Sequence, residues 1–159
     1  THIYVSVDSP AVASVWDAFG VRPQFRPVYF NVGSVFYGQE LCIKSWADWD
    51  DVMHCLEQKL MPVLDRAVDI QGMDAVVNGD EFPDVRDRGA WLMKRQPNAL
   101  IIARLAGNPC YADLISILRD SSIKHATGEY REKLLNEFER LVSHLESVSP
   151  LVASPSASA

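Results

Sequence analysis

The sequence predicts one α/β (or α+β) domain, in which a small mixed sheet is packed by four or five helices. Three observations predict the sheet. His2–Val7 alternates in the manner of a strand. Phe25–Val32 and Val35–Ile43 flank Gly33-Ser34, a pair suited to a two-residue β-hairpin turn. The run Ala99–Leu105 is apolar on both faces at strand spacing, which favours a central strand that is covered on both sides.

The length and composition indicate one globular domain. The chain has 159 residues, of which 48% are hydrophobic and 23% are charged, and this is enough material for one core. We assign residues 1–148 to this domain and expect the small, proline-containing segment 149–159 to be disordered. No apolar stretch approaches the roughly 20 residues that span a bilayer, and no secretory signal is recognised, so a cytoplasmic location is expected. Three widely spaced cysteines predict reduced thiols (Cys42, Cys55 and Cys110).

Capping signals predict the first helices. Ser9 and Pro10 form a helix start, Gly20 suits a left-handed C-cap, and the apolar spacing around Trp16 favours a core position over an exposed anchor. Ser45 and Asp48 form a capping-box pattern for a helix that runs to about residue 68. Pro62 either kinks that helix or begins a second one.

The second half of the chain is predicted with more interruptions. Met73–Val77 is assigned a short strand, and a helix is expected from Pro83 to about Gln96, ending at Pro97-Asn98. A helix follows Pro109 and ends near residue 120. The strongest helical pattern covers Glu129–Val148, whose apolar stripe includes Leu134, Phe138, Leu141 and Leu145. Packing of this stripe on the domain is favoured over a homodimer through the same helix.

Acidity is concentrated in the middle of the chain. Residues 40–87 contain 12 acidic and 4 basic residues, a net charge of −8 within a chain of net charge −6. This balance argues against direct nucleic-acid binding, which needs a basic surface, and it permits a basic protein partner.

The sequence carries none of the common motifs of catalysis or cofactor binding. It has no phosphate-binding glycine motif, no HExxH, no CxxC pair and no GxSxG. The adjacent His54-Cys55 pair is not expected to form a catalytic dyad, because neighbouring helical residues point in different directions. No metal site and no cofactor are predicted, and the residue pattern identifies no known family.

The first function hypothesis is a small acidic interaction protein without catalysis, of the inhibitor, immunity or anti-defence type. It would bind a basic partner through the acidic region 69–87, whose charge would give fast, salt-sensitive association. Four aromatic residues are either hot-spot anchors or core residues in this interpretation: Trp46, Trp49, Phe82 and Trp91. The predicted partner-binding residues are Asp74, Asp80, Glu81, Phe82, Asp84 and Asp87.

The alternative hypothesis is a small enzyme. Its ligand site would lie in the loop that follows the predicted 99–105 strand, at Gly107, Asn108 and Cys110. Ligands of α/β proteins often bind at such a position, and the N-terminus of the next helix attracts anions. A buried structural thiol is the other interpretation of Cys110 and is the favoured one.

Overall fold

The computed structural model describes residues 4–20, 28–31, 45–82, 92–124 and 126–151. Over these ranges the chain is mostly helical, so the predicted α/β (or α+β) fold class with a mixed sheet is wrong. The elements in chain order are β1 (Tyr4–Val7), α1 (Pro10–Phe19), β2 (Val28–Asn31), α2 (Trp46–Cys55), a π-helical turn (Leu56–Leu60), α3 (Met61–Arg66), α4 (Ile70–Val77), α5 (Leu92–Ala106), α6 (Tyr111–Ile123) and α7 (Gly128–Glu146).

The predicted central strand 99–105 is the second half of α5, the helix around which the others pack. Residues 99–103 and Leu105 are buried, and α5 contacts α1, α4, α6 and α7. A helix that is covered on all sides is apolar all round, so an apolar run does not distinguish it from a central strand. The 15 residues of α5 exceed the usual length of a strand, so the length of the element is typical of a helix.

The β structure of the described residues is one short antiparallel pair. β1 pairs with β2 in the register Tyr4↔Asn31 to Val7↔Val28, so a strand is present at the predicted N-terminal position. Within the described ranges the predicted mixed sheet with its hairpin is not seen, and the partner of β2 is β1. The predicted hairpin turn and second strand, at 33–43, lie outside the described residues.

The boundaries of α1 are confirmed. Ser9 Oγ accepts a hydrogen bond from the Val12 amide at 3.4 Å, and Pro10 is the first helical residue. The helix ends at Gly20, whose φ of 79° is accessible to glycine without a Cβ clash. Trp16 is a core residue, as predicted, and its Nε1 donates to Oδ1 of the buried Asn98 at 2.8 Å.

Pro62 explains the π-helical turn between α2 and α3. A proline inside a helix has no N–H to donate, and its ring crowds the carbonyl four residues earlier. The chain stays helical through this point but widens for one turn, in which the Met61 amide donates to Leu56 O. The predicted capping box at the start of α2 is confirmed, with Ser45 and Asp48 exchanging bonds of 3.2 and 2.7 Å.

Two predictions about α4 and α5 are wrong. The predicted strand at Met73–Val77 belongs to α4, which Asp69 begins by accepting a hydrogen bond from the Gly72 amide at 2.6 Å. The helix expected to end at Pro97 continues through it as α5, because the buried residues that follow hold the second half in the core. Its predicted start at 83–91 lies outside the described residues.

The last two predicted helices are confirmed as α6 and α7. Three residues of the α7 stripe are buried in the core of the single chain: Phe138, Leu141 and Leu145. Leu134 is partly buried. The stripe therefore packs on its own domain, and a homodimer through this helix stays a prediction.

Candidate functional site

The described part of the predicted acidic surface begins within α4 and continues beyond its end. Glu81 Oε2 pairs with Arg66 Nε of α3 at 3.2 Å, with both side chains exposed. Asp80 is exposed, whereas Phe82 is half-buried and packs against the core. Asp84 and Asp87 lie outside the described residues. The carboxylate of Glu81 is thus partly neutralised by a neighbouring cation.

Asp74 of α4 is bonded to Asn78 at the end of α4 and to Asn108 in the loop after α5. Its Oδ1 accepts from Asn78 Nδ2 at 2.7 Å, and its Oδ2 accepts from Asn108 Nδ2 at 2.6 Å. Asn78 Nδ2 also donates to the Ala99 carbonyl at 3.0 Å. A half-buried carboxylate with both oxygens bonded to amides stabilises the fold. The structure thus bonds Asp74, a predicted partner-binding residue, to Asn108, a residue of the alternative enzyme site. The two residues are 34 positions apart, so no local sequence pattern predicts this contact.

The loop 107–110 is a connection between two helices. Gly107, at a φ of 68°, and Asn108 donate their amides back to the Arg104 and Ala103 carbonyls, which ends α5 in a Schellman motif. Asn108 Oδ1 then accepts from the Cys110 amide at 2.8 Å and leads into α6. The alternative enzyme site is predicted to follow a strand, but the structure shows that this loop follows a helix instead. Cys110 is exposed, so its favoured interpretation as a buried thiol is wrong.

A second polar cluster holds the residues that follow α7. Arg104 donates from Nε to the Val148 carbonyl at 2.8 Å and from a terminal nitrogen to the Glu146 carbonyl at 3.2 Å. Its guanidinium carbon lies 5.7 Å from the centre of the Tyr111 ring. Burial raises the pKa of Tyr111, which the Arg104 charge opposes and the Glu146 charge reinforces. The Tyr111 hydroxyl has no hydrogen-bond partner among the described residues.

The adjacent residues His54 and Cys55 differ in burial. Cys55 lies in the core, whereas His54, one residue earlier on α2, is exposed. Over the described ranges, no three side chains of His, Cys, Asp or Glu are arranged to hold a metal ion. Nor does any helix there have the length and apolarity to cross a membrane.

Among the residues that the structure describes, the exposed tryptophans lie on α2. Trp46 is 84% exposed and Trp49 is 40% exposed, and Met53 continues the same face one turn later. Two exposed carboxylates, Asp50 and Asp51, lie within the same turns. The sequence leaves open whether these tryptophans are core residues or anchors, and the structure places both outside. Trp91 lies outside the described residues.

The sequence predicts only some of the residues on this exposed face of α2. The sequence identifies the tryptophans as aromatic residues, but it does not single out Met53 or the later Met61. Their spacing on one side of a helix is the available signal. That signal is weak, because a helix exposes an apolar side chain only when no neighbour covers it. No family model, curated protein or solved structure gave a match to this chain.

Proposed function

We propose that this protein is a protein-binding module that holds a partner with a basic surface against the outer face of α2. The observation that carries the proposal is the exposure of Trp46 and Trp49 beside Asp50 and Asp51. Tryptophan is strongly enriched among the few residues that dominate binding energy in interfaces. The Trp46 indole is mostly exposed and contributes little to folding, and Trp49 leaves 40% of its surface exposed, so apolar area of both side chains is available for a partner.

The charge of this region supports a basic partner. Residues 46–61 contain four acidic residues and one lysine. Carboxylates around an apolar centre steer a cationic surface into position and make its association rate depend on ionic strength. The same charge repels nucleic acid.

The proposed function is still an acidic protein-binding module, but its proposed interface is centred on α2 instead of on the acidic region 69–87. The centre moves to α2 because its tryptophans are exposed, whereas Phe82, the aromatic residue among the predicted partner-binding residues, packs against the core. Inhibition or immunity without catalysis remains the proposed role of such a module. The alternative enzyme site at 107–111 has less support, because the amide and the carbonyl of the Asn108 side chain are both bonded.

Affinity capture from the native lysate tests the proposal with three forms of the full chain. These are the wild type, the double variant Trp46→Ala/Trp49→Ala, and the control Ile117→Ala/Tyr130→Ala, which removes exposed apolar side chains from α6 and α7. We expect the wild type and the control to retain the same basic partner at low salt and to release it as salt rises. The tryptophan variant should bind at least about ten-fold more weakly, since two anchors are lost.

Three results would contradict the proposal. The first is equal retention of the partner by the tryptophan variant and the wild type. The second is a partner that is acidic or that stays bound at high salt. The third is capture of no stoichiometric partner at low salt by a folded wild-type chain.

A further inference from the structure

We infer that the occupant of this surface is a basic amphipathic helix, which lies along α2 and the π-helical turn, from Trp46 to Met61 at the start of α3. The inference rests on the proposed function and specifies its partner. Four exposed apolar side chains define what we call the outer stripe: Trp46, Trp49, Met53 and Met61.

The π-helical turn brings Met61 into line with the rest of the stripe. Met61 follows Met53 by eight residues, whereas two turns of α-helix take only about seven. A continuous α-helix would therefore rotate Met61 away from Met53. The intervening π turn closes its hydrogen bond over one additional residue, from Met61 N–H to Leu56 O, and so absorbs the extra position. We therefore infer that Met53 and Met61, which are 37% and 47% exposed, lie on a common side.

The dimensions and residue types of the stripe fit a helix. Fifteen residues separate its ends, and at about 1.5 Å per residue the stripe is roughly 22 Å long. A partner helix contacts such a stripe with side chains three, four and seven residues apart. Methionine adapts its flexible side chain to different apolar partners, and the tryptophans supply rigid anchors at one end.

The carboxylates on the stripe specify a cationic helix. Asp50 lies one turn after Trp46, and Glu57 lies between Met53 and Met61, and both carboxylates are exposed. A second copy of this chain placed face to face would bring these carboxylates against their own kind. A helix with Lys or Arg beside its apolar residues would pair with them instead.

Two synthetic peptides test the inference against the full chain. The first is a peptide of about 18 leucine and lysine residues with leucine at helical spacing, long enough to cover the stripe, and the second has the same composition in scrambled order. Binding is followed by tryptophan fluorescence, and peptide helicity is followed by circular dichroism. We expect the ordered peptide to bind at least about ten-fold more tightly than the scrambled one, to become helical, and to shift tryptophan emission to the blue.

Matched polar, uncharged variants locate the far end of the surface. Met61→Gln should weaken binding of the ordered peptide at least about ten-fold, because it removes an apolar contact at the end of the stripe without adding a charge that would attract the peptide. Ile117→Gln replaces an exposed apolar side chain on α6 in the same way and should leave peptide binding unchanged. The thermal unfolding of both variants shows whether the fold is retained.

The outcomes separate the two proposals. If Trp46→Ala/Trp49→Ala loses the captured partner but Met61→Gln binds the peptide like the wild type, the helical occupant is wrong and the binding module stands. Equal binding of the two peptides, or binding of neither, would also overturn the helical occupant. If the tryptophan variant keeps its captured partner, the proposed function itself fails.

Discussion

Helices α1 and α2 begin alike and differ in what becomes of their tryptophans. Each has ten residues and a serine N-cap, Ser9 or Ser45. Trp16 of α1 is buried and donates to Asn98 of α5, whereas Trp46 of α2 is almost fully exposed. The local signals that begin a helix are therefore independent of whether its aromatic side chains reach the core.

Trp16 is buried and has a hydrogen-bond partner in a distant part of the chain. Asn98 lies 82 residues from Trp16 and offers a buried carbonyl oxygen at hydrogen-bond distance. Trp46 lies on the side of α2 away from its buried residues, Val52 and Cys55, whereas Trp49 lies three residues before Val52, at the border between the two sides, and is 40% exposed. A tryptophan without an interior partner of this kind is available to another molecule, which is the basis of the proposed function.

The largest expected effect tests this comparison directly. Trp16→Ala should lower the free energy of unfolding by about 3–5 kcal/mol, because it leaves a cavity at the α1–α5 contact. Trp46→Ala should change it by less than about 0.5 kcal/mol, because the side chain is exposed. Chemical denaturation followed by circular dichroism measures both values.

A more conservative variant separates packing from hydrogen bonding at Trp16. Trp16→Phe keeps an aromatic ring and removes the indole donor to Asn98, so a loss of about 1–3 kcal/mol is expected. Similar losses for Trp16→Ala and Trp46→Ala would show that the two helices do not differ in the way described.

An effect of intermediate size tests what the two helices share. Ser9→Ala and Ser45→Ala should each lower the free energy of unfolding by about 1 kcal/mol, since each removes an acceptor for an amide in the first helical turn. The control is Ser143→Ala, at an exposed position inside α7, which should have little effect. If only one of the two cap variants lost stability, the contribution of a serine N-cap would depend on the surrounding tertiary structure and not only on the local sequence.

The smallest expected effect compares Trp16 with Tyr111, a second aromatic residue with a buried polar atom. The Trp16 indole has a partner, whereas the Tyr111 hydroxyl has none among the described residues. Tyr111→Phe should therefore leave the free energy of unfolding at pH 7 unchanged or raise it by up to about 1 kcal/mol. Tyr130→Phe, at an exposed position of α7, is the matched control and should have no effect.

The pH dependence of stability gives a second test at Tyr111. Burial raises the pKa of Tyr111 in the folded chain, so the folded state keeps its phenol proton where the unfolded state has begun to lose it. The contribution of this group is complete below the unfolded pKa of about 10 and is lost as the pH rises toward the folded value. The wild type should therefore lose stability above about pH 10 more steeply than Tyr111→Phe. Parallel curves would contradict this expectation.

Prediction from the sequence succeeds at the local caps of α1 and α2, but it misses the equally local cap of α4, where Asp69 accepts from the Gly72 amide. The caps at Ser9 and Ser45 connect residues three apart, and the structure confirms both. The predicted fold class is wrong because it depends on the apolar run 99–105, whose burial on all sides suits a strand and a helix equally. The candidate site is predicted in part: the sequence identifies the tryptophans of α2, but not their exposure.

The sequence by itself determined the starts of α1 and α2, the amphipathic α7 and the concentration of acidic residues, because each depends on residues close together in the chain. The tertiary structure alone decided that α5 is a buried helix, that Asp74 bonds Asn108, and that Trp16 is covered while Trp46 is not. The physical reason is that burial and buried hydrogen bonds require partners from distant parts of the chain, which no local pattern specifies.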